Sequence, residues 1–143
     1  QQKQDQIREI PLLGQIAAGT PIDVPNSESS WVQQAEEIIP VSSHMLGKNK
    51  DIFALRVKGT SMIDDLIDDG DIILLKPAKS AEKGQKVAVW LKDEAATTLK
   101  RYYPEGNQIR LQPANKTMDP IITKSENVEI QAIFIGSIRP ADE

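Results

Sequence analysis

DIFALRVKGTSMIDDLIDDGDIILLK, residues 51–76, decides the fold and frames the chemistry. Phe53, Leu55 and Val57 recur at every second position, the period of a half-buried strand, and Ile72 to Leu75 form a second short apolar run. Gly59-Thr60-Ser61-Met62 opens the polar stretch between these runs and Asp69-Gly70 closes it. A serine on a glycine-led turn is a candidate nucleophile, although most such serines only shape the turn. Its hydroxyl is unreactive at neutral pH without a base. The single histidine, His44, lies in a polar segment that suggests no partner for it. A lysine can serve instead if burial lets its neutral amine exist. Lys100, in ATTLKRYY, is the candidate.

Outward from this stretch the β pattern continues almost to the end. QKVAVWLK, TTLKRYY, NQIRLQP and VEIQAIFIGSI follow one another, separated by turn signals such as Lys83-Gly84 and Glu105-Gly106-Asn107. Strands spaced about ten residues apart predict a mostly β fold: strongly bent antiparallel sheets or a partial barrel, with short helical turns and no helix of ordinary length. Upstream, Glu36 to Val41 reads as a short strand, and Ser42 to Lys50 as a polar connection. Asp23 to Gln34 reads as a loop with Trp31 its one large apolar group. Ile10 to Ile16 contains Pro11 and Gly14, which favour an edge strand or an extended arm over a central strand. Ala17-Ala18-Gly19-Thr20-Pro21 lacks bulk and could enter a narrow site, or be an ordinary loop.

The 143 residues amount to one domain. Seventeen basic against twenty-one acidic residues give a net charge of −4, which argues against a surface built for nucleic acid. Without cysteine there are no disulfides and no thiolate metal sites. No apolar run approaches the roughly 20 residues that span a bilayer, and no signal peptide is visible, so a cytoplasmic location without a membrane partner is expected. The polar opening QQKQDQIRE starts at Gln1 and not at a methionine; residues 1–9 are expected to be the remnant of a linker to a missing upstream domain.

Several residues have plainer readings. Asp64, Asp65, Asp68, Asp69 and Asp71 lack the alternating ligand spacing of a calcium loop. Their expected role is structural: a short helical turn carrying Leu66 and Ile67, then a Gly70 turn that launches the next strand. His44 reads as a surface residue and Trp90 as core or interface. Alternation puts Lys100 on one side with Thr98 and Tyr102, and Leu99 and Arg101 on the other, without deciding which side is buried. Neither a metal nor a cofactor is expected.

IAAGTP, VKGTSMIDD with DGDIILL, and TLKRYY, in this order with β-rich sequence between them, resemble the LexA repressor family and its relatives, the UmuD proteins and lambda-type phage repressors. LQPANKTMDPI and FIGSIRP extend the resemblance over about Ile10 to Pro140. It implies a LexA-UmuD-like, signal-peptidase-like β fold over 10–143, with residues 10–35 an arm carrying a cleavage site. It further implies a latent serine-lysine protease that cuts its own chain. Ser61 would be the nucleophile, Lys100 the general base, and the Ala18–Gly19 bond the target, with backbone N–H groups of Ser61 and Met62 receiving the oxyanion. The implied partners are a second copy of the chain, RecA on single-stranded DNA as stimulator, and operator DNA held by the missing N-terminal domain. Repression of the SOS response to DNA damage would end with cleavage.

The interval from Gly19 to Ser61 is longer than in LexA relatives, with the extra length in PNSESSWVQQ. Alanine before Gly19 favours the LexA branch. The alternatives are a UmuD-like polymerase accessory subunit, a phage repressor, and a non-catalytic β dimerisation module. Dimerisation finds support in Ile130 to Ile138, an apolar run that could pair across a two-fold axis as an exposed edge.

Overall fold

The computed structural model describes residues 6–24 and 31–141. Nine strands form one mixed sheet that curls without closing: β1 (Ile7–Ile16), β2 (Glu37–Ser42), β3 (Phe53–Val57), β4 (Ile72–Pro77), β5 (Lys86–Leu91), β6 (Ala96–Glu105), β7 (Gln108–Gln112), β8 (Ile121–Lys124) and β9 (Val128–Ile138). Their order across the sheet is β2-β1-β3-β4-β9-β5-β6-β7-β8. The short helices α1 (Trp31–Gln34) and α2 (Ser43–Leu46) and two 3-10 turns, Ile63–Asp65 and Ser125–Asn127, complete the described elements. The β-rich expectation holds, with one difference. β1 runs parallel to β3, whereas the other pairings are antiparallel.

β1 also corrects two expectations. It lies between β2 and β3 and is not an edge, and it begins at Ile7, inside the stretch expected to be linker. Its irregular residues fit because the ladders accommodate them. Pro11 stands opposite Ile38 of β2 just before the β3 ladder starts at Leu12, and Gly14 falls within the irregularity between Leu12 and Gln15. The Pro25–Ser30 part of the expected loop lies outside the described residues. The following Trp31–Gln34 is helical.

Curling places three apolar clusters along the sheet. The first gathers Ile16, Ile22, Trp31, Phe53, Leu55, Met62, Ile67 and Leu99. Trp31 meets Phe53 edge to face with ring centroids 5.4 Å apart, so α1 is fastened to the start of β3. The second cluster joins Ile10, Leu12, Leu46 and Leu74, and the third joins Val87, Val89 and Leu111.

β9 is not simply an exposed edge. Ala132 to Ile138 pair with β4 and Val128 to Ile133 with β5, so Phe134 to Ile138 have a ladder on the β4 side alone and Val128 to Gln131 on the β5 side alone. A bent strand shared between neighbours on opposite sides at its two ends explains why. His44 is exposed on α2 and Trp90 is half-buried on β5. No described helix is long and apolar enough to cross a membrane.

Candidate functional site

The serine turn is closed by hydrogen bonds from both ends. Gly70 N–H donates to Val57 O and Val57 N–H to Asp71 O, each at 2.8 Å, which brings the end of β3 against the start of β4. Gly59, at φ 91°, adopts a backbone conformation that side chains disfavour, and its N–H donates to Asp69 Oδ1 at 2.6 Å. Ser61 follows, exposed, while the adjoining Met62 is buried in the first core. The 3-10 turn covers Ile63–Asp65 only. Leu66 leaves it in the left-handed region at φ 64° and is 64% exposed, whereas Ile67 returns to the core. The expected helical turn through Leu66 and Ile67 is therefore shorter, ending where Leu66 reverses the chain.

The aspartates do different jobs. Asp69 closes the turn as described. Asp71 takes Arg139 in a two-pronged ion pair at 2.9 and 3.0 Å and accepts from Asp68 N–H. The Arg139 guanidinium, helped by that N–H, holds the Asp71 carboxyl below the ordinary carboxylate value of 3.8 against the opposing effect of burial. Between the lowered folded value and 3.8 the unfolded chain binds more protons, so stability there rises with pH. The pair's contribution is present above 3.8 and lost as pH falls through the folded value. We expect Asp71→Asn to unfold more easily than the parent at neutral pH, with the gap in urea midpoint closing below pH 3.8. A gap that stays constant into acid counts against the ion pair.

Asp65 is a different case. It is 1% exposed, and its Oδ2 accepts from Lys100 Nζ at 2.7 Å, while Lys100 is 7% exposed. Lys100 Nζ also donates to Thr98 Oγ1 at 2.6 Å, as their shared side of β6 allows. Ala114 N–H lies 3.4 Å from Asp65 Oδ1. Leu99 enters the first core on the other side of the strand, so both sides of β6 are buried here. Alternation could not choose between them because no exposed side exists.

A second lysine belongs to the same electrostatic neighbourhood. Lys86 Nζ stands 4.5 Å from the centroid of the Phe134 ring. Burial pushes the Lys86 ammonium below the usual lysine range; attraction to Asp65 opposes this, and repulsion from Arg101 and Lys100 adds to it.

The arm lies across this region. Lys58 N–H donates to Ile16 O at 3.0 Å, Thr97 N–H to Ala18 O at 2.7 Å, and Thr97 Oγ1 to Thr20 O at 2.6 Å. The Gln131 side chain then brackets Ile22, accepting from its N–H at 3.1 Å and donating to its carbonyl at 3.2 Å. The arm fits on β6 because β7 pairs only with Arg101 to Glu105, leaving the Ala96–Lys100 edge open to another backbone. A Cβ built on Gly19 meets nothing within 4 Å.

Thus Ala18 and Gly19 lie beside β6, on which Lys100 stands three positions beyond Thr97. Lys100 itself is joined to Asp65 and Thr98, and no hydrogen bond links it to Ser61. The Ala18 carbonyl is held by Thr97 and not by the backbone of Ser61 or Met62. Asp65 and Thr97 were not singled out from sequence. Five aspartates in one short stretch look alike there, and the separation of 35 positions between Asp65 and Lys100 conceals their pairing. Among the described residues no group of three histidine, cysteine, aspartate or glutamate side chains is placed to hold a metal ion.

The family model described as Peptidase S24-like matches residues 11–135. The LexA repressor of Herpetosiphon aurantiacus is 47% identical over 134 residues, 92% of this chain and 61% of that protein. That of Roseiflexus sp. is 47% identical over 131 residues, 91% of the chain and 59% of the relative. The LexA repressor of Bacillus subtilis is 38% identical over 136 residues, 95% and 62% respectively. The chain thus spans between 59% and 62% of the length of these relatives.

Proposed function

Because the chain belongs to the peptidase S24-like family, we propose that it is the self-cleaving domain of a LexA-type repressor, a serine endopeptidase whose substrate is its own arm. The observation that carries this reading is the docking of Ala18 on the open edge of β6 beside buried Lys100. Substrate and candidate base belong to one folded chain, which supplies the proximity that a bimolecular reaction lacks.

In the reaction, neutral Lys100 takes the Ser61 hydroxyl proton as Oγ bonds to the Ala18 carbonyl carbon. The Ala18 carbonyl exchanges its Thr97 contact for the N–H groups of Ser61 and Met62, which receive the oxyanion. The C–N bond to Gly19 then breaks, and the Lys100 ammonium donates the proton to the departing nitrogen. Water adds to the resulting Ala18 ester, transferring a proton to Lys100, and releases the Ala18 carboxyl group and the Ser61 hydroxyl.

The similarity to LexA repressors supports the wider roles: a homodimer in the cytoplasm that holds operator DNA through a preceding domain, represses SOS genes and is cut when RecA on single-stranded DNA stimulates it. Phe134 to Ile138, with their open edge, are the candidate segment for pairing with a second copy. Incubation of the purified chain across pH 7 to 10 tests the enzymatic reading. We expect cleavage to accelerate with pH and to yield a fragment that begins at Gly19. A chain that stays intact throughout would leave a β dimerisation module as the better reading.

A further inference from the structure

We infer that Gln131 is a positioning residue for the self-cleavage: its carboxamide clamps the backbone of Ile22 and so holds the downstream half of the arm while the Ala18–Gly19 bond reacts. The inference rests on the proposed function and adds the group that keeps the substrate in place. Gln131 Oε1 accepts from Ile22 N–H at 3.1 Å, and Gln131 Nε2 donates to Ile22 O at 3.2 Å. One side-chain amide thus gives Ile22 the acceptor and the donor that a neighbouring strand would give it.

A β-bulge aims Gln131 at the arm. In the ladder between β5 and β9, Ala88 faces Ala132 and Val89 faces Ile130, so Gln131 is the extra residue. An extra residue bends its strand and re-aims the side chain it carries. Ile22 to Val24 line a groove together with Val128 and Ile130. No described ladder joins the arm to β9 there, and the Gln131 side chain makes the connection instead.

The two sides of the scissile bond are held differently. Upstream, β1 is laced between β2 and β3, and Ile16 O accepts from Lys58 N–H beside the serine turn. Downstream, among the described residues, hydrogen bonds reach the arm from Thr97, at Thr20 O, and from Gln131. Ala18 O must leave Thr97 N–H for the oxyanion to form, which loosens the grip of Thr97 at the moment of reaction. Gln131 acts at Ile22, beyond the reacting atoms, and keeps its grip throughout. Ile22 is buried in the first core, so its backbone groups find little water if the carboxamide is removed.

Gln131→Met fills the same space without either hydrogen bond. Gln131→Glu keeps an acceptor for the Ile22 N–H but, ionised, cannot donate to the carbonyl. Loss of two such bonds weakens an equilibrium by roughly five- to a hundredfold. Self-cleavage of Gln131→Met should therefore fall about tenfold across pH 7 to 10, with the midpoint of the pH profile unmoved because the clamp involves neither Ser61 nor Lys100. Gln131→Glu should be slowed as well, whereas a side chain that only filled space would let both variants react like the parent. Urea unfolding checks that each variant folds, and Gln131→Ala replaces the Met variant if it does not.

A readout independent of cleavage uses amide hydrogen exchange in the inactive Ser61→Ala background. Adding Gln131→Met should speed exchange at Ile22 about tenfold while Leu74, inside β4, keeps its protection. Unmoved exchange at Ile22 overturns the clamp. Unchanged or faster cleavage by a folded Met variant, or a shifted midpoint, overturns its part in positioning. If the parent chain shows no cut that depends on Ser61 and Lys100, the proposed function fails, and exchange at Ile22 still reports whether Gln131 holds the arm.

Discussion

Ser61→Ala and Lys100→Ala should each leave the chain whole under alkaline conditions in which the proposed reaction cuts the parent. The effect should be large because the two residues act as one unit: without the hydroxyl no ester forms, and without the amine the hydroxyl keeps its proton. Losses from single members of such units reach roughly 10⁴ to 10⁶ in rate. The variants should differ in stability. Ser61 is exposed at the tip of a turn held by Gly59, Asp69 and Gly70, so its alanine variant should melt like the parent. Lys100→Ala strands the buried Asp65 carboxylate, and breaking such a pair costs about 3–5 kcal/mol. Mass spectrometry of the products, read beside urea unfolding, separates lost chemistry from lost structure. Gly19→Val completes the set, since the open space around Gly19 lets the fold accept it while the reacting geometry does not. A cut after Ala18 in any folded member of the set counts against the assignment of the residue changed.

Phe53→Ala should be the most damaging change outside the site. Phe53 is fully buried at the start of β3, edge to face with Trp31, in the cluster that also holds Ile16, Met62 and Leu99. Removing a buried phenyl ring costs about 3–5 kcal/mol through lost burial and the cavity left behind. For a chain of this size that lowers the melting temperature by roughly 10 °C or more. The same cluster supports the serine turn through Met62, the strand of Lys100 through Leu99 and the arm through Ile16 and Ile22. Self-cleavage should therefore fall even where the variant remains folded. A melting temperature within about 3 °C of the parent would mean that Trp31 and its neighbours refill the space.

Much of this architecture could be read from sequence where one physical signal dominated. β3 to β7 and β9 carry apolar alternation or short apolar runs set off by turn signals, so their existence and approximate limits were legible. β8 was missed because four residues with exposed and half-buried positions carry too little pattern. β1 was misplaced because proline and glycine count against a central strand on average; here the ladders happen to spare both positions. Ser61, Lys100 and the Ala18–Gly19 bond came from resemblance added to local chemistry. Their relation to Asp65 and Thr97 depends on how a sheet curls, which local periodicity does not encode.

The insertion of β1 between β2 and β3 bears on what a cut would achieve. Ile7 to Ile16 precede Ala18, yet they are laced into the sheet on both sides. Hydrolysis after Ala18 would sever the covalent thread while leaving the upstream piece clamped as a strand. Dissociation of the halves would be a second event with its own barrier, set by how readily β1 peels from its neighbours. The nicked molecule would persist for a time as a non-covalent complex, and a signal carried by separation would lag behind the chemistry.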